Sequence, residues 1–128
     1  MNTSTYTDSS ICLYVILLAF KVFRPIKRKY NLSVNLLLCL VGLYVYSNVV
    51  KQDFCRSAII RFVTYYNDKV INRYIDIFLS RGLVIESIKH GSRQYYKLTN
   101  QALSIVNEIP AEYNRVLYEF CNKYSIEL

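Results

Sequence analysis

The stretch Asn72-Arg73-Tyr74-Ile75-Asp76-Ile77-Phe78-Leu79-Ser80-Arg81-Gly82-Leu83-Val84 marks a change from helical to strand patterning. Apolar residues recur at helical spacing in its first half and predict a helix that ends at Arg81-Gly82. The inward-facing positions of that helix are Ile71, Tyr74, Ile75, Phe78 and Leu79. Alternation then predicts a strand over residues 83–88, a turn over 89–93 and a returning strand over 94–98. A hairpin with a basic turn therefore follows the helix directly.

Two helices are predicted upstream of this stretch. One lies near residues 53–63, and a polar turn over 65–68, with Asn67 or Asp68 as the cap, leads from it into the next helix. The other, the most apolar of the chain, runs over residues 34–46 after a capping Ser33. The polar Ser47-Asn48 pair is expected to end it.

The two ends of the chain are predicted to be long helices. The first runs from residue 11 to about 29 with a kink at Pro25, behind a loose polar end over 1–9. Its candidate caps are Asp8, Ser9 and Ser10. The last helix follows a cap at Thr99, and Pro110 bends it or splits it in two. Because the first helix is apolar on nearly all sides, we expect a partner subunit to cover it.

The order of helix, turn, helix, hairpin and helix predicts a mainly α fold with a small β-hairpin wing, which is a winged helix-turn-helix. With 128 residues, three glycines and two prolines, the chain is expected to form one mostly helical domain, residues 1–128. Residues 32–99 would be the DNA-binding core, and residues 10–30 and 100–126 would be dimerisation helices.

Positive charge is unevenly distributed along the chain. The formal net charge is +7; residues 1–50 hold five basic and one acidic side chain, and residues 51–97 hold nine and four. Residues 98–128 hold two basic and four acidic side chains. This split favours one face for a polyanion and a separate segment for packing, although a basic excess can also serve only solubility.

Cysteine usage and the lack of catalytic motifs narrow the function class. Cys12, Cys39, Cys55 and Cys121 are far apart, which favours buried thiols in a reducing compartment over disulfides or zinc. With a single histidine, His90, no metal site and no cofactor are expected. The sequence also contains no Gly-rich phosphate loop and no hydrolase motif, so we expect no enzyme.

Two apolar segments raise the question of a membrane. Residues 11–20 are too short to span a bilayer, and residues 32–50 are interrupted by Ser33, Asn35, Ser47 and Asn48. No basic residue precedes the first apolar run, which argues against a signal peptide. We expect a cytoplasmic protein without a membrane partner, and a membrane-anchored chain is the alternative.

Two groups of side chains are candidates for contacts with double-stranded DNA. In the major groove, the helix of the 72–84 stretch would present Asn67, Lys69, Asn72 and Arg73. At phosphates or in an adjacent minor groove, the wing would present Lys89, His90, Ser92, Arg93 and Gln94. Asparagine suits an adenine edge and arginine a guanine edge. In the competing interpretation, Arg73 forms only a surface ion pair with Asp76, and Arg93 is a solvated hairpin charge.

The 72–84 stretch, the basic wing and Leu98-Thr99 resemble the multiple-antibiotic-resistance-regulator (MarR) family. The shared pattern is an arginine, an aspartate three residues on, a large apolar residue, Gly-Leu-Val, and Leu-Thr after the wing. Residues 30–33 also resemble the break before the family's second helix, and the similarity in layout covers roughly residues 10–125. Two positions depart from it: the family's Asp-x-Arg in the wing is replaced by residues 90–93, and Ala102 stands where the family has glycine.

The resemblance implies a homodimer whose first and last helices interlock and whose two winged domains read a palindrome. It also implies a small-molecule effector as a further partner. Residues 11–14 resemble the reactive-cysteine segment of the family's peroxide-sensing branch, so Cys12 is a candidate redox thiol, with inert packing as the alternative.

The function predicted from the sequence is a sequence-specific DNA-binding transcriptional regulator, with repression as the expected effect. The alternative from another class is a winged-helix module for protein–protein assembly, such as a replication-complex component of a mobile element without catalytic activity.

Overall fold

The computed structural model describes the backbone over residues 3–64 and 66–125, and the side chains of these ranges from Leu13 onward except Tyr14 and Val15. Within these residues the fold is mainly helical with one two-stranded antiparallel hairpin, which confirms the predicted fold class. The elements in chain order are α1 Thr3–Tyr30, α2 Val34–Val50, α3 Arg56–Phe62, α4 Asp68–Ser80, β1 Val84–His90, β2 Arg93–Leu98 and α5 Asn100–Lys123.

The chain divides into two compact units. One is formed by Met1–Leu32 together with Asn107–Leu128, and the other is the continuous segment Ser33–Val106. We call the first the terminal unit and the second the winged unit. Helix α5 begins in the winged unit and continues into the terminal unit.

The core of the winged unit is built from α2, α3 and α4. Ser33 caps α2 by accepting a hydrogen bond from the Leu36 amide at 3.1 Å, as the sequence predicts. Of the five predicted inward positions of α4, Leu79 is only half-buried. The other four, Ile71, Tyr74, Ile75 and Phe78, are buried. The helical spacing therefore identified the packed face of α4 correctly.

The hairpin carries a third, one-residue strand partner that the sequence did not reveal. The backbones of Phe54 and Tyr96 exchange both amide hydrogen bonds, at 3.0 and 2.7 Å, and their rings stack at 5.9 Å. Because residue 54 is paired in this extended conformation, α3 begins only at Arg56. The predicted helix over 53–63 was therefore too long at its start.

The predicted limits of the first two helices were also too narrow. Helix α1 begins at Thr3, so Asp8, Ser9 and Ser10 lie inside it and do not cap it. Serine and threonine cost little in a helix that is already nucleated, which allows this extension. Helix α2 continues to Val50 and ends at Lys51, whose left-handed backbone lets its amide bond the Ser47 carbonyl. Pro25 and Pro110 both lie inside helices, so Pro110 does not split α5.

The terminal unit holds a polar cluster on α1 and α5. Lys29 Nζ donates to a Glu108 carboxylate oxygen at 2.9 Å, and the Tyr30 hydroxyl donates to the other oxygen. These bonds, that from Tyr30 first and that from Lys29 second, hold the pKa of Glu108 below its ordinary 4.5. The same cluster raises the pKa of Lys29.

A Glu108→Gln variant is expected to lose part of the pH dependence of stability. Since the pKa of Glu108 is lowered in the folded state, its contribution is present above its ordinary pKa and is lost as pH falls through the lowered value. Wild type should exceed the variant in free energy of unfolding at neutral pH by a small amount, because the pair is exposed. Urea unfolding at neutral and acid pH measures this difference, and a difference that grows towards acid pH would contradict the assignment.

The described thiols are free and packed. Cys39 and Cys55 are buried, Cys121 is half-buried, and burial raises the pKa of Cys39 to about 12. A thiol with that pKa is unreactive near neutral pH. The predicted redox candidate, Cys12, lies outside the residues whose side chains are described.

Among the described residues, no single helix is long and apolar enough to cross a bilayer. The pair Ile16–Tyr30 and Val34–Val50 passes that test only when taken together, and it is bent by 97° at its break.

Candidate nucleic-acid interface

Helix α4 begins at a side-chain cap. Asn67 has an extended backbone, and its Oδ1 accepts a hydrogen bond from the Val70 amide at 2.9 Å. Asp68 in the first turn adds a negative charge where the helix dipole favours one. Asn67 was predicted both as a cap and as a DNA contact, and the structure confirms the cap.

An Asn67→Ala variant is expected to lower the free energy of unfolding by about 1 kcal/mol, because the Val70 amide loses its acceptor. Asn67→Ser keeps a capping oxygen and serves as the matched control. Urea unfolding without DNA separates this effect from any contact with nucleic acid. Equal stability of the alanine and serine variants would show that the cap contributes nothing.

Two cations project from the first two turns of α4. Lys69 and Arg73 are four residues apart, so they lie on one side of the helix, and both are exposed. The guanidinium carbon of Arg73 lies 5.7 Å from the centre of the Tyr74 ring. Two cations one turn apart near the start of an exposed helix are suited to bases and phosphates in a major groove.

The expected surface pair between Arg73 and Asp76 does not form. Asp76 instead accepts a hydrogen bond from Arg56 Nη2 at 2.6 Å. Arg56 reaches Asp76 from the start of α3, where its side chain is 29% exposed. Arg73 is therefore left without that partner, contrary to the competing interpretation of this residue.

Asn72 also belongs to the Arg56 cluster. Arg56 Nη1 donates to the Asn72 backbone carbonyl at 3.1 Å and to its side-chain oxygen at 3.3 Å. Arg56 Nε donates to the Tyr96 hydroxyl at 3.2 Å. Burial alone would lower the pKa of Arg56, but the hydrogen bonds to Tyr96 and Asp76 raise it. The cluster links α3, α4 and β2 through one side chain.

The wing is a tight hairpin whose tip is exposed. Gly91 and Ser92 form the two-residue turn, and Gly91 has a φ of 60°, which favours glycine at this position. The strands extend closer to the tip than predicted, so His90 and Arg93 are a cross-strand pair instead of turn residues. Five predicted contact residues surround this tip: Lys89, His90, Ser92, Arg93 and Gln94.

Gln94 differs from the other four because its side chain is occupied. Its amide nitrogen donates to the carbonyls of Ile88 at 3.2 Å and Tyr95 at 2.9 Å. The strand register shifts between Glu86 and Lys89, and Ile88 lies within that irregularity. Gln94 therefore stabilises the wing backbone, whereas Lys89, His90, Ser92 and Arg93 are exposed.

Charge in the winged unit is predominantly positive and little neutralised. The unit has nine basic and four acidic side chains. Two of the four acids are engaged inside it, since Asp76 bonds Arg56 and Asp53 accepts a hydrogen bond from Ser87. Within residues 3–64 and 66–125, four exposed cations form no ion pair: Lys69, Arg73, Lys89 and Arg93.

Sequence reasoning missed Arg56 and the Ser87–Asp53 bond. Arg56 lies 16 residues from Asn72, 20 from Asp76 and 40 from Tyr96. No local spacing rule connects residues so far apart. The one signal available was a lone arginine at the start of a short helix, which is not distinctive.

No protein-family model matches the chain, and no curated protein sequence matches it. Solved structures do match. MepR, a transcription regulator of the Staphylococcus aureus multidrug efflux pump MepA, is 10% identical, with 93% of this chain and 82% of MepR covered at a TM-score of 0.69. A MepR–DNA complex matches at 10% identity over 93% and 84% of the two chains, with a TM-score of 0.66. S. aureus MarR in complex with salicylate and kanamycin is 15% identical over 99% and 81%, with a TM-score of 0.64.

These matches cover nearly the whole chain at low sequence identity, so they define its fold. The chain has the winged-helix fold of MarR-family regulators, which confirms the resemblance indicated by the 72–84 stretch.

Proposed function

We propose that this protein is a sequence-specific transcriptional regulator that binds double-stranded DNA as a homodimer. The observation that carries the proposal is the set of exposed, unpaired cations on α4 and at the wing tip, Lys69, Arg73, Lys89 and Arg93. A helix of this kind fits a major groove, and a cationic hairpin beside it suits phosphates or a minor groove. The complex of MepR with DNA supports this use of the fold.

The contacts divide by chemistry. Arg73 is the candidate for a guanine edge, and Lys69 for phosphate or base acceptors in the same groove. At the wing, Arg93 and Lys89 supply phosphate contacts, with His90 and Ser92 as further donors at the tip. Asn67 has its oxygen committed to the cap, and Gln94 has its amide committed to the wing, so they support the interface more than they read bases.

Homodimerisation is proposed from the exposed apolar face of α1. Leu13, Ile16, Leu17 and Phe20 follow i, i+3, i+4, i+7 spacing and are 60–67% exposed. Tyr118 and Tyr124 on α5, in the same unit, are 69% and 57% exposed. A contiguous apolar stripe of this kind is unfavourable in water and is typical of an interface. A second copy, presenting the same stripe, is the occupant that a self-complementary two-fold contact requires.

We further propose repression in the cytoplasm, without catalytic activity. A dimer seated across a duplex excludes other proteins from the DNA that it covers, which gives repression as the simplest regulatory effect. A small-molecule effector is proposed by analogy with the S. aureus MarR complex with salicylate and kanamycin.

Selection from a pool of randomised duplexes tests the proposal. Purified protein is incubated with the pool and non-specific competitor, and retained duplexes are sequenced over several rounds. Enrichment of a palindromic motif supports a dimeric regulator. If no motif is enriched and the protein retains no duplex, the proposal is wrong, and the winged unit would then be a protein-assembly module.

A further inference from the structure

Arg56 is tied to three elements by every nitrogen of its guanidinium group. Nε bonds Tyr96 on β2, Nη1 bonds Asn72 on α4, and Nη2 bonds Asp76 one turn further along α4. The guanidinium carbon also lies 5.3 Å from the centre of the Tyr96 ring. A side chain held in this way cannot turn outward without breaking several contacts at once. It is therefore built to position α4 and Asn72, and it is poorly placed to contact DNA itself.

The contact fixes which end of the Asn72 amide faces outward. A guanidinium group only donates hydrogen bonds, so the amide atom that faces Arg56 must be the oxygen. The nitrogen lies on the other side of the amide carbon and points away from Arg56. Asn72 is half-buried on the α4 side that also carries exposed Lys69 and Arg73. The group that it offers towards a ligand is therefore an NH₂ donor.

This orientation determines which base Asn72 can read. Asparagine recognises adenine by presenting its oxygen and nitrogen together, to N6 and N7. With the oxygen held by Arg56, that two-atom contact is lost, and a donor-only group matches the N7 and O6 acceptors of guanine. We propose that Arg56 is a positioning residue that makes Asn72 select guanine instead of adenine. The inference rests on the proposed DNA-binding function.

The experiment uses the randomised-duplex selection with wild type, Asn72→Ala and Arg56→Met. Asn72→Ala should lose the preference at one base pair of each half-site, which identifies the position that Asn72 reads. Wild type should require G·C there. Arg56→Met should relax the preference for G·C over A·T at that position by about tenfold or more, because the freed amide can present both atoms.

Two further measurements separate positioning from other roles. If Arg56 contacted phosphate, Arg56→Met would reduce the salt dependence of binding; a positioning residue leaves that slope unchanged. Arg61→Met, at an exposed arginine of the same helix, is the matched control and should keep the G·C preference. Circular dichroism verifies that each variant is folded.

The possible results distinguish this inference from the proposed function. Wild-type selection of A·T at the Asn72-dependent pair, or no such pair, overturns the inference while leaving DNA binding in place. An unchanged preference in folded Arg56→Met also overturns it. If wild type enriches no duplex, the proposed function fails and the inference fails with it. The comparison of wild type with Asn72→Ala requires no change at Arg56, so it decides the matter even if Arg56→Met does not fold.

Discussion

Replacing Arg73 and Arg93 together by alanine is expected to weaken binding to the selected duplex by roughly a hundredfold or more. A good arginine–guanine contact discriminates by about 1–3 kcal/mol, and a phosphate contact at the wing adds to the loss. Arg73 is exposed on α4 and released from Asp76, which bonds Arg56. Arg93 is exposed beside the wing turn. Fluorescence anisotropy at fixed salt measures the loss.

The two single variants should differ in kind. Arg73→Ala should relax selection at one base pair, whereas Arg93→Ala should weaken all duplexes alike and reduce the salt slope by about 1. A double Arg115→Ala, Lys123→Ala variant on α5 removes the same charge as the Arg73, Arg93 pair and serves as the control. An equal loss in both double variants would mean that net charge, and not these two positions, governs binding.

Glutamate at both Leu17 and Phe20 is expected to convert the protein into monomers and to reduce DNA affinity by roughly a hundredfold or more. The two side chains are each 67% exposed on the α1 stripe. Burying such residues against a second copy contributes about 25 cal/mol per Å² of apolar area, which two buried carboxylates would reverse. A dimer that loses its partner also loses the second half-site. Sedimentation equilibrium and anisotropy measure the two effects.

Val49→Glu is the matched control for that variant. Val49 is 69% exposed on α2 in the winged unit, so the change adds the same charge at another exposed apolar position. It should leave both the oligomeric state and DNA affinity near their wild-type values. A monomeric wild-type protein, or a double variant that remains dimeric, would exclude the α1 stripe as the dimer interface.

The parts of the fold that local patterns determine were predicted correctly. The helical spacing of Ile71, Ile75 and Phe78 identified the packed face of α4, and alternation after Gly82 identified the hairpin. Side-chain chemistry identified the caps, because Asn67 and Ser33 precede apolar runs and can accept an amide hydrogen bond.

The parts that depend on distant contacts were not predicted. Phe54 reads as a helical position, yet its backbone pairs with Tyr96, which shortens α3. The assignment of Asp76 to Arg73 followed the i, i+3 rule, but an arginine from another helix reaches Asp76 instead. In the same way Asn72 was assigned an adenine edge before its oxygen was seen to face Arg56. Each error arose where a tertiary contact outcompeted a local rule.

The measurement that tests the central claim most directly is binding of the wild-type protein to duplex DNA at two salt concentrations. We predict binding at about 50 mM salt that weakens by roughly a thousandfold or more at about 200 mM, as expected for release of several counterions by the α4 and wing cations. Absence of binding at the lower salt concentration would contradict the account and redirect the search to protein partners of the winged unit.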